Sequence, residues 1–372
     1  MGDDTALAVM SKMHRQIYDY FRQQFAQVTN PPIDSLREAS VMSLETCYGP
    51  ELNVFDETPD HAKRLVTTSP VLSFKKLQSI INNKHFSNVE INLEYAKSAS
   101  LEKALKKLQE NVVKEVKNGK VIIHLVEKVP SKNYLPINAL LAVGCVHQKL
   151  VSLGLRSDAN IVISTSSARD THQIACLIGF GATAVYPSLA YQTILDLSDR
   201  NEIKGMPHEN CARYRKGVNK GLLKIISKMG ISSISSYRGS QLFEIVGLNN
   251  DVIDLCFTNS ISRIAGKNFD DLDNENKKLS EYATSNLSDI SVGGLLKYVH
   301  GGEYHTYNPE IVKKLQEAVS TGSDQKYQEY ADLVDKRPPA MLRDILGIKK
   351  SKKSIDIKAV SYTHLTLPTN GT

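Results

Sequence analysis

Residues 214–244 read YRKGVNKGLLKIISKMGISSISSYRGSQLFE, and this stretch does most to decide the fold. Its pattern predicts an amphipathic helix ending near Gly230, a short strand at Ile231–Ile234, a polar loop at Ser235–Ser240 and then another helix. The loop combines hydroxyl groups, Arg238 and a flexible glycine at the predicted carboxyl end of the strand. In α/β folds, ligands and partner domains bind at that end. The stretch therefore predicts an α/β fold with a candidate site in this loop.

The region from about residue 88 to residue 265 alternates predicted strands with predicted helices. The strand segments are β-branched and almost continuously apolar, which is typical of a parallel sheet covered on both faces. The strands are expected at Val89–Leu93, Val121–Val126, Ile161–Ser164 and Ala184–Tyr186. The helices are expected at Leu101–Lys117, Ile137–Leu153, Ala168–Ile178 and Ala212–Met229. The sequence thus predicts repeated βα units with a mostly parallel sheet, either open or barrel-like.

Composition shifts divide the 372 residues into five zones. An N-terminal helical and extended segment, with a helix over about Ala8–Val28, is followed by Pro-rich sequence and precedes the α/β core. A polar, acidic stretch after the core is expected to be a surface loop or linker, and two further helices are expected at Ile311–Val319 and Asp324–Val334. We expect the last residues to be a lysine-rich linker and a non-native tail. The zones are residues 1–75, 76–266, 267–292, 293–348 and 349–372.

Bulk properties exclude several classes of protein. The net charge is only +6, and no basic stripe is interleaved with aromatic residues, so we expect no nucleic-acid partner. No apolar run of about 18 residues occurs, which argues against a transmembrane helix and a membrane partner. The N-terminus is acidic, unlike a signal peptide, and the five cysteines lack CxxC spacing. We therefore expect a cytoplasmic protein with reduced thiols.

No motif for catalysis, metal binding or dinucleotide binding stands out. His124 lies in an apolar strand, and His147 and His172 lie in helical patterns, so structural roles are favoured for all three. The HExxH, GxSxG and P-loop patterns are absent. We therefore assign no catalytic, cofactor-binding or metal-binding residue.

The loop Ser235–Ser240 leaves two interpretations open. Backbone amides and Arg238 can hold a carboxylate or phosphate, as in a barrel-type enzyme with an anion site. Alternatively, Arg238 forms a salt bridge to a neighbouring domain while Tyr237 packs in the seam, and this interdomain contact is favoured. For the chain as a whole, a stand-alone, non-catalytic α/β binding module is a further alternative.

Thr29 and Asn30 form a second candidate, because they precede Pro31 and Pro32. Two prolines stiffen the segment and fix the position of two hydrogen-bonding side chains. These side chains either line a polar passage or belong to a rigid turn that ends the first helix. The residues alone favour the turn.

Several long motifs resemble the central domain of the glutamate synthase large subunit. The resemblance covers residues 2–348 and includes MGIS and SYRGSQ within the opening stretch. The motifs are GDDTALAVMS (2–11), NALLAVGCVHQKLVSLGLR (138–156), HQIACLIGFGATAVYPSLAYQTI (172–194) and GGEYHTYNPEIVKKLQEAV (301–319). The last of these resembles the start of the FMN-binding synthase domain.

The resemblance implies a fragment of a larger oxidoreductase that acts on CH–NH2 donors. The parent converts glutamine and 2-oxoglutarate to two glutamates and carries FMN and a 3Fe-4S cluster, whereas this fragment is expected to hold neither and to be inactive alone. Its partners would be the amidotransferase, FMN-barrel and β-helix domains of the same chain, and a small electron-supplying subunit. The central domain would link the two active sites and enclose an ammonia passage, with Thr29 and Asn30 in its wall. Tyr237 and Arg238 would contact the barrel domain.

Overall fold

The computed structural model describes residue 8 and the ranges 10–11, 13–25, 34–37, 39–285 and 293–347. Thr29 and Asn30 lie outside the described residues. The chain divides into two compact units, residues 14–287 and a smaller unit formed by residues 1–13 with 288–372. None of the helices in the described ranges is both long and apolar enough to cross a membrane.

Strands and helices alternate through the first unit, and the described part of the second unit contains two α-helices. The strands are β1 (Phe21–Gln23), β2 (Thr46–Tyr48), β3 (Leu65–Thr67), β4 (Asn88–Ala96), β5 (Ile122–Glu127), β6 (Tyr134–Pro136), β7 (Asn160–Thr165), β8 (Ala184–Pro187), β9 (Phe243–Leu248) and β10 (Ile261–Lys267). The helices are α1 (Phe74–Ile81), α2 (Leu101–Lys117), α3 (Ala139–Ser152), α4 (Thr171–Gly179), α5 (Ser188–Asp199), α6 (Pro207–Lys228), α7 (Ile234–Tyr237), α8 (Asn250–Cys256), α9 (Phe269–Thr284), α10 (Pro309–Thr321) and α11 (Asp324–Lys336).

A five-stranded sheet in the order β6-β4-β5-β7-β8 forms the centre of the first unit. β4, β5, β7 and β8 are parallel, and β6 is an antiparallel edge strand. Alternating residues such as Ile123 and Ile163 face the core that includes α2, α3 and α4, whereas Ile122 and Val162 pack on the other face against Tyr48. The predicted α/β fold and mostly parallel sheet are confirmed, and because β6 and β8 are its edges the sheet is open.

An aromatic cluster joins the start of the unit to its end. Phe21 in β1 lies 5.1 Å from Phe180 and 4.9 Å from Phe257, measured between ring centroids, and all three rings are fully buried. β1 also pairs antiparallel with β9. The helix expected over Ala8–Val28 is therefore wrong for residues 17–23, which form a 3-10 turn and a strand. Burial of Phe21 and pairing with β9 override the local helical pattern.

The strand predicted at Ile231–Ile234 is also wrong. Only Ser233 makes an isolated parallel bridge, to Ser43, and the short helix α7 begins at Ile234. The helix predicted after the polar loop is the strand β9. The backbone N–H of Ile234 donates to the carbonyl of Ser43 at 2.9 Å, so the segment binds a distant loop instead of a sheet.

Residues expected to form a polar surface loop instead form the helix α9 over Phe269–Thr284. Asn268 caps the helix by accepting from the backbone N–H of Asp271. The buried Tyr95 hydroxyl donates to Asp273 at 2.5 Å, and Asn276 donates to the carbonyl of Pro136 at 2.8 Å. Polar contacts thus hold this helix against β4 and β6, which an apolar pattern does not reveal.

The second unit contains the helix pair α10 and α11. The Asn308 side chain accepts from the first backbone N–H groups of α10, and Gly322 ends that helix with a left-handed φ of 60°. Lys314 and Glu329 form an ion pair across the two helices at 2.7 Å. The helices predicted at Ile311–Val319 and Asp324–Val334 are confirmed.

Candidate functional site

The predicted loop around Arg238 borders a partly open polar cavity of about 400 Å³ in the first unit. Hydroxyl groups, a thiol and four charged side chains line it. The charged residues are Glu45, Glu51, Arg64 and Arg238. The cavity is therefore suited to a small polar ligand rather than an apolar one.

The cavity lies at the amino ends of the parallel strands. Asn160, the first residue of β7, lines it together with Thr183, which directly precedes β8. Ser233 and Ser235 come from the segment that bridges to Ser43. The sequence placed the loop at the carboxyl end of a strand, and this is wrong because Ile231–Ile234 is not a strand.

Arg238 and Glu51 form a loose ion pair across the cavity. One terminal nitrogen of Arg238 lies 3.5 Å from a carboxylate oxygen of Glu51, and the side chains are 22% and 58% exposed, respectively. The hydroxyl groups of Ser233 and Ser235 bond to each other at 2.8 Å. Among the described residues, the Arg64 guanidinium has neither an ion pair nor a hydrogen-bond acceptor. The cavity thus holds one guanidinium with a weak partner and one with none.

A partly buried guanidinium lies near the cavity. Arg156 donates from Nε to Nδ1 of His147 at 3.0 Å and from a terminal nitrogen to the carbonyl of Gly181 at 2.8 Å. Burial, followed by the charge of Arg238, lowers the pKa of Arg156 to about 10. Burial, followed by the charges of Arg156 and Arg238, lowers the pKa of His147 to about 4. His147 is therefore neutral near pH 7, and the local field is positive.

Tyr237 and Arg238 are consecutive but have different surroundings. Tyr237 is fully buried, and its hydroxyl donates to the side-chain oxygen of Gln23 at 3.0 Å. Arg238 instead faces the cavity. The predicted interdomain contact of these two residues stays a prediction, and this geometry gives Tyr237 a second role inside its own unit.

The carboxyl ends of the parallel strands carry a densely bonded carboxylate. One oxygen of Glu127, at the end of β5, accepts from the backbone N–H groups of Ser166 at 2.8 Å and Ser167 at 3.0 Å. The same oxygen accepts from the Thr165 hydroxyl at 2.6 Å, and the other accepts from the N–H of Ala139 at 3.2 Å. In α/β proteins, backbone N–H groups at this edge of the sheet commonly bind the anionic groups of ligands. Here the carboxylate of Glu127 accepts their hydrogen bonds instead.

The remaining reactive side chains have structural partners. His124 bonds to the hydroxyl of Ser164 at 2.8 Å, and burial lowers its pKa. His172 bonds to the carbonyl of Tyr18 at 3.1 Å. Burial raises the pKa of Cys176 well above its usual value, so this thiol stays protonated and is a poor nucleophile. In the ranges that the structure describes, no three His, Cys, Asp or Glu residues are grouped to hold a metal.

Sequence reasoning found Arg238 but missed the other charged groups of the cavity. Cys47 lies on the short strand β2, Glu51 follows β2, and Arg64 precedes β3. The run TCYGPE carried one usable signal, because Gly49-Pro50 indicates a turn that presents a neighbouring carboxylate. Glu127 was also missed, although the hydroxyl run at residues 165–167 follows a predicted strand.

Comparison with known proteins gives a consistent result. The family model described as the glutamate synthase central domain matches residues 1–249. Chloroplastic ferredoxin-dependent glutamate synthase of Oryza sativa subsp. japonica is 39% identical over 383 residues, covering 97% of this chain and 23% of the relative. The large chain of NADPH glutamate synthase of Azospirillum brasilense is 35% identical, covering 97% of this chain and 24% of the relative. The chain therefore spans about a quarter of the length of these relatives.

Solved structures resemble the chain only weakly. The flavin-binding domain of baker's yeast flavocytochrome b2 aligns with a TM-score of 0.33 and 13% identity, covering 60% of this chain and 47% of that chain. A likeness at that level carries no argument about function.

Proposed function

Because the chain belongs to the glutamate synthase central-domain family, we propose that it is the connecting domain of a glutamate synthase large subunit. The observation that carries this proposal is the match of residues 1–249 to the family, together with relatives 35–39% identical over 97% of the chain. The parent enzyme would be an oxidoreductase of ammonia assimilation that converts glutamine and 2-oxoglutarate to two glutamates. This segment would link the glutaminase and synthase centres.

The connecting role includes enclosing a passage for ammonia between the two centres. Ammonia that reaches bulk water near neutral pH is protonated and is no longer a nucleophile, so a passage has to exclude water. We assign Thr29 and Asn30 to the wall of this passage. Support for this comes from the resemblance and from the rigid Pro31-Pro32 pair beside them.

FMN and a 3Fe-4S cluster belong, in this proposal, to other parts of the parent. The described residues do not fit either group. No three ligands are grouped for a metal among them. The backbone donors of Ser166 and Ser167, which would suit a phosphate, are taken by the carboxylate of Glu127.

The partners of this segment would be the amidotransferase, FMN-barrel and β-helix domains of the same chain, with a small electron-supplying subunit beyond them. We assign Arg238, backed by the buried Tyr237, to contact with the barrel domain. Partial exposure of Arg238 at the cavity supports this assignment. We propose a cytoplasmic location, whereas the relative from Oryza sativa subsp. japonica is a chloroplastic protein.

Replacement of Thr29 by Val in the full-length parent tests the passage. The hydroxyl would be lost with little change in volume, so glutamine hydrolysis should exceed glutamate formation as ammonia escapes. The measurement is the ratio of glutamine consumed to 2-oxoglutarate consumed. Thr193→Val, at an exposed position on α5, is the matched control and should leave the ratio unchanged. An unchanged ratio in Thr29→Val would remove the assignment.

A flavin titration tests the connecting role itself. The purified 372-residue chain should bind no stoichiometric FMN and should form no glutamate from glutamine and 2-oxoglutarate. Bound flavin, or turnover by this chain alone, would contradict the proposal.

A further inference from the structure

The cavity beside Arg238 also contains Arg64, whose positive charge the connecting role does not use. A guanidinium stays charged at all physiological pH values, and a partly buried one is stabilised by a planar, two-oxygen acceptor. Arg64 is half-buried in the cavity wall and has no such acceptor among the described residues. An anion in the cavity would give Arg64 such an acceptor.

Arg238 adds a second guanidinium to the same space. Its ion pair with Glu51 is a single contact at 3.5 Å, longer than a normal charge-assisted hydrogen bond. Partly buried Arg156, whose pKa is lowered by burial and by the charge of Arg238, adds to the positive potential at this wall. An incoming carboxylate or phosphate can therefore replace Glu51 at Arg238 without leaving a buried charge unpaired, since Glu51 is 58% exposed.

The other lining groups complement an anion of small size. Ser43, Ser233 and Ser235 place hydroxyl groups on the cavity wall, and hydroxyls donate to carboxylate and phosphate oxygens. The volume of about 400 Å³ lies in the usual range for small-molecule sites. Glu45 and Glu51 also line the cavity and oppose anion binding, so the affinity depends on the balance between the two arginines and these carboxylates.

We propose that this cavity binds a small anion carrying carboxylate or phosphate groups, held by Arg64 and Arg238. Glu51 acts as an internal competitor that pairs with Arg238 when no ligand is bound. The inference rests on the cavity alone, so it stands or falls separately from the connecting role. Both a free phosphate and a short dicarboxylate such as 2-oxoglutarate or glutamate belong to this class of anion.

Isothermal titration calorimetry of the purified full chain tests the proposal at low salt. Inorganic phosphate, 2-oxoglutarate and glutamate are titrated separately, which identifies the source of the anion. Arg64→Gln and Arg238→Gln should each weaken binding about tenfold or more, because a charge-assisted pair is lost. Glu51→Gln should instead tighten binding several-fold, because the competitor loses its charge.

The arginine variants should weaken binding, whereas Glu51→Gln should tighten it. A general loss of stability would not produce changes in affinity of opposite sign. Arg263→Gln is the matched control, since Arg263 is exposed and pairs with Glu244 at 3.3 Å, away from the cavity. Arg64→Lys keeps the positive charge but loses the planar guanidinium, which can bind two oxygens at once. It replaces Arg64→Gln if circular dichroism shows that Arg64→Gln is unfolded. The proposal is overturned if none of the three anions binds below millimolar concentration, or if Glu51→Gln and the Arg64 variants bind as the Arg263→Gln control does.

Discussion

Arg156 donates its Nε–H to Nδ1 of His147 at 3.0 Å inside the first unit. The guanidinium has no acceptor, so Nδ1 of His147 must accept and the imidazole carries its proton on Nε2. A second proton on the ring would require Nδ1 to face a cation. Together with burial, this lowers the pKa of His147 to about 4 and makes the pair sensitive to acid.

The free energy of unfolding should therefore fall in mild acid. Below the unfolded pKa of about 6.5, the unfolded chain binds a proton at His147 that the folded chain does not bind until about pH 4. The contribution of neutral His147 to the free energy of unfolding is complete above about pH 6.5. Up to about 3 kcal/mol of it is lost as the pH falls from 6.5 to 4. Urea unfolding of the wild type at several pH values measures this loss.

His147→Gln is the comparison for that experiment, because glutamine offers Arg156 an acceptor but does not titrate. The variant should show a shallower decline in stability over the same pH range. Identical pH dependence in the two proteins would show that His147 does not set the acid limit.

Gly181 should tolerate no side chain, because it lies against His147. Its φ is +116°, and an added Cβ would lie 2.3 Å from Cγ of the His147 ring. Gly181→Ala should lower the free energy of unfolding by about 3 kcal/mol or more, through overpacking and backbone strain. Gly154→Ala is the matched control, since Gly154 also has a positive φ (+67°) but open space around it, and should cost about 1 kcal/mol. Equal losses would contradict the predicted clash.

Removal of the Glu127 carboxylate should loosen the carboxyl edge of the sheet. Glu127→Ala leaves the backbone N–H groups of Ser166 and Ser167 without their acceptor, which should cost about 2–4 kcal/mol. Glu127→Gln keeps an acceptor oxygen and should cost less. The measurements are urea unfolding and hydrogen exchange at residues 166–168, with exposed Glu94→Ala as the control. Unchanged exchange in Glu127→Ala would show that other contacts hold this loop.

Arg238→Ala in the full-length parent should weaken the coupling between glutamine hydrolysis and glutamate formation. The melting temperature should change little, because the described partner of Arg238 is the exposed Glu51 at 3.5 Å. The measurement pairs steady-state stoichiometry with thermal unfolding, and Arg263→Ala serves as the surface control. A shift in melting temperature alone would assign Arg238 a structural role.

The repeated βα units could be predicted because their signals are local. The helix predicted at Leu101–Lys117 is observed with the same bounds, since Ser100 caps its start and its apolar residues recur on one face. The parallel strands are continuously apolar because helices or loops cover both faces of β5, β7 and β8. In these elements, local propensity and tertiary burial agree.

The incorrect predictions fall where distant contacts decide the structure. Residues 17–23 carry a helical pattern, yet Phe21 is held in a strand by β9, more than two hundred positions later. α9 has little apolar patterning, and its position depends on the buried bond between Tyr95 and Asp273. Neither contact is visible in a window of ten or twenty residues.

The candidate site could be predicted only in part for the same reason. Arg238 lies in a conspicuous loop, but Glu51 is 187 residues away in the sequence and reaches it only through folding. The bridge between Ser43 and Ser233 brings these two segments together. The assignments of Thr29 and Asn30 stay predictions, since both lie outside the described residues.

The pairing of β1 with β9 has a consequence for biosynthesis. The parallel strands β4, β5, β7 and β8 join sequential neighbours, so they can assemble while the ribosome is still adding residues. Phe21 must wait, because its strand partner Ile245 and its ring partner Phe257 are translated more than two hundred residues later. During that interval the N-terminal segment stays exposed on the nascent chain, where it is available to chaperones, and its docking completes the unit.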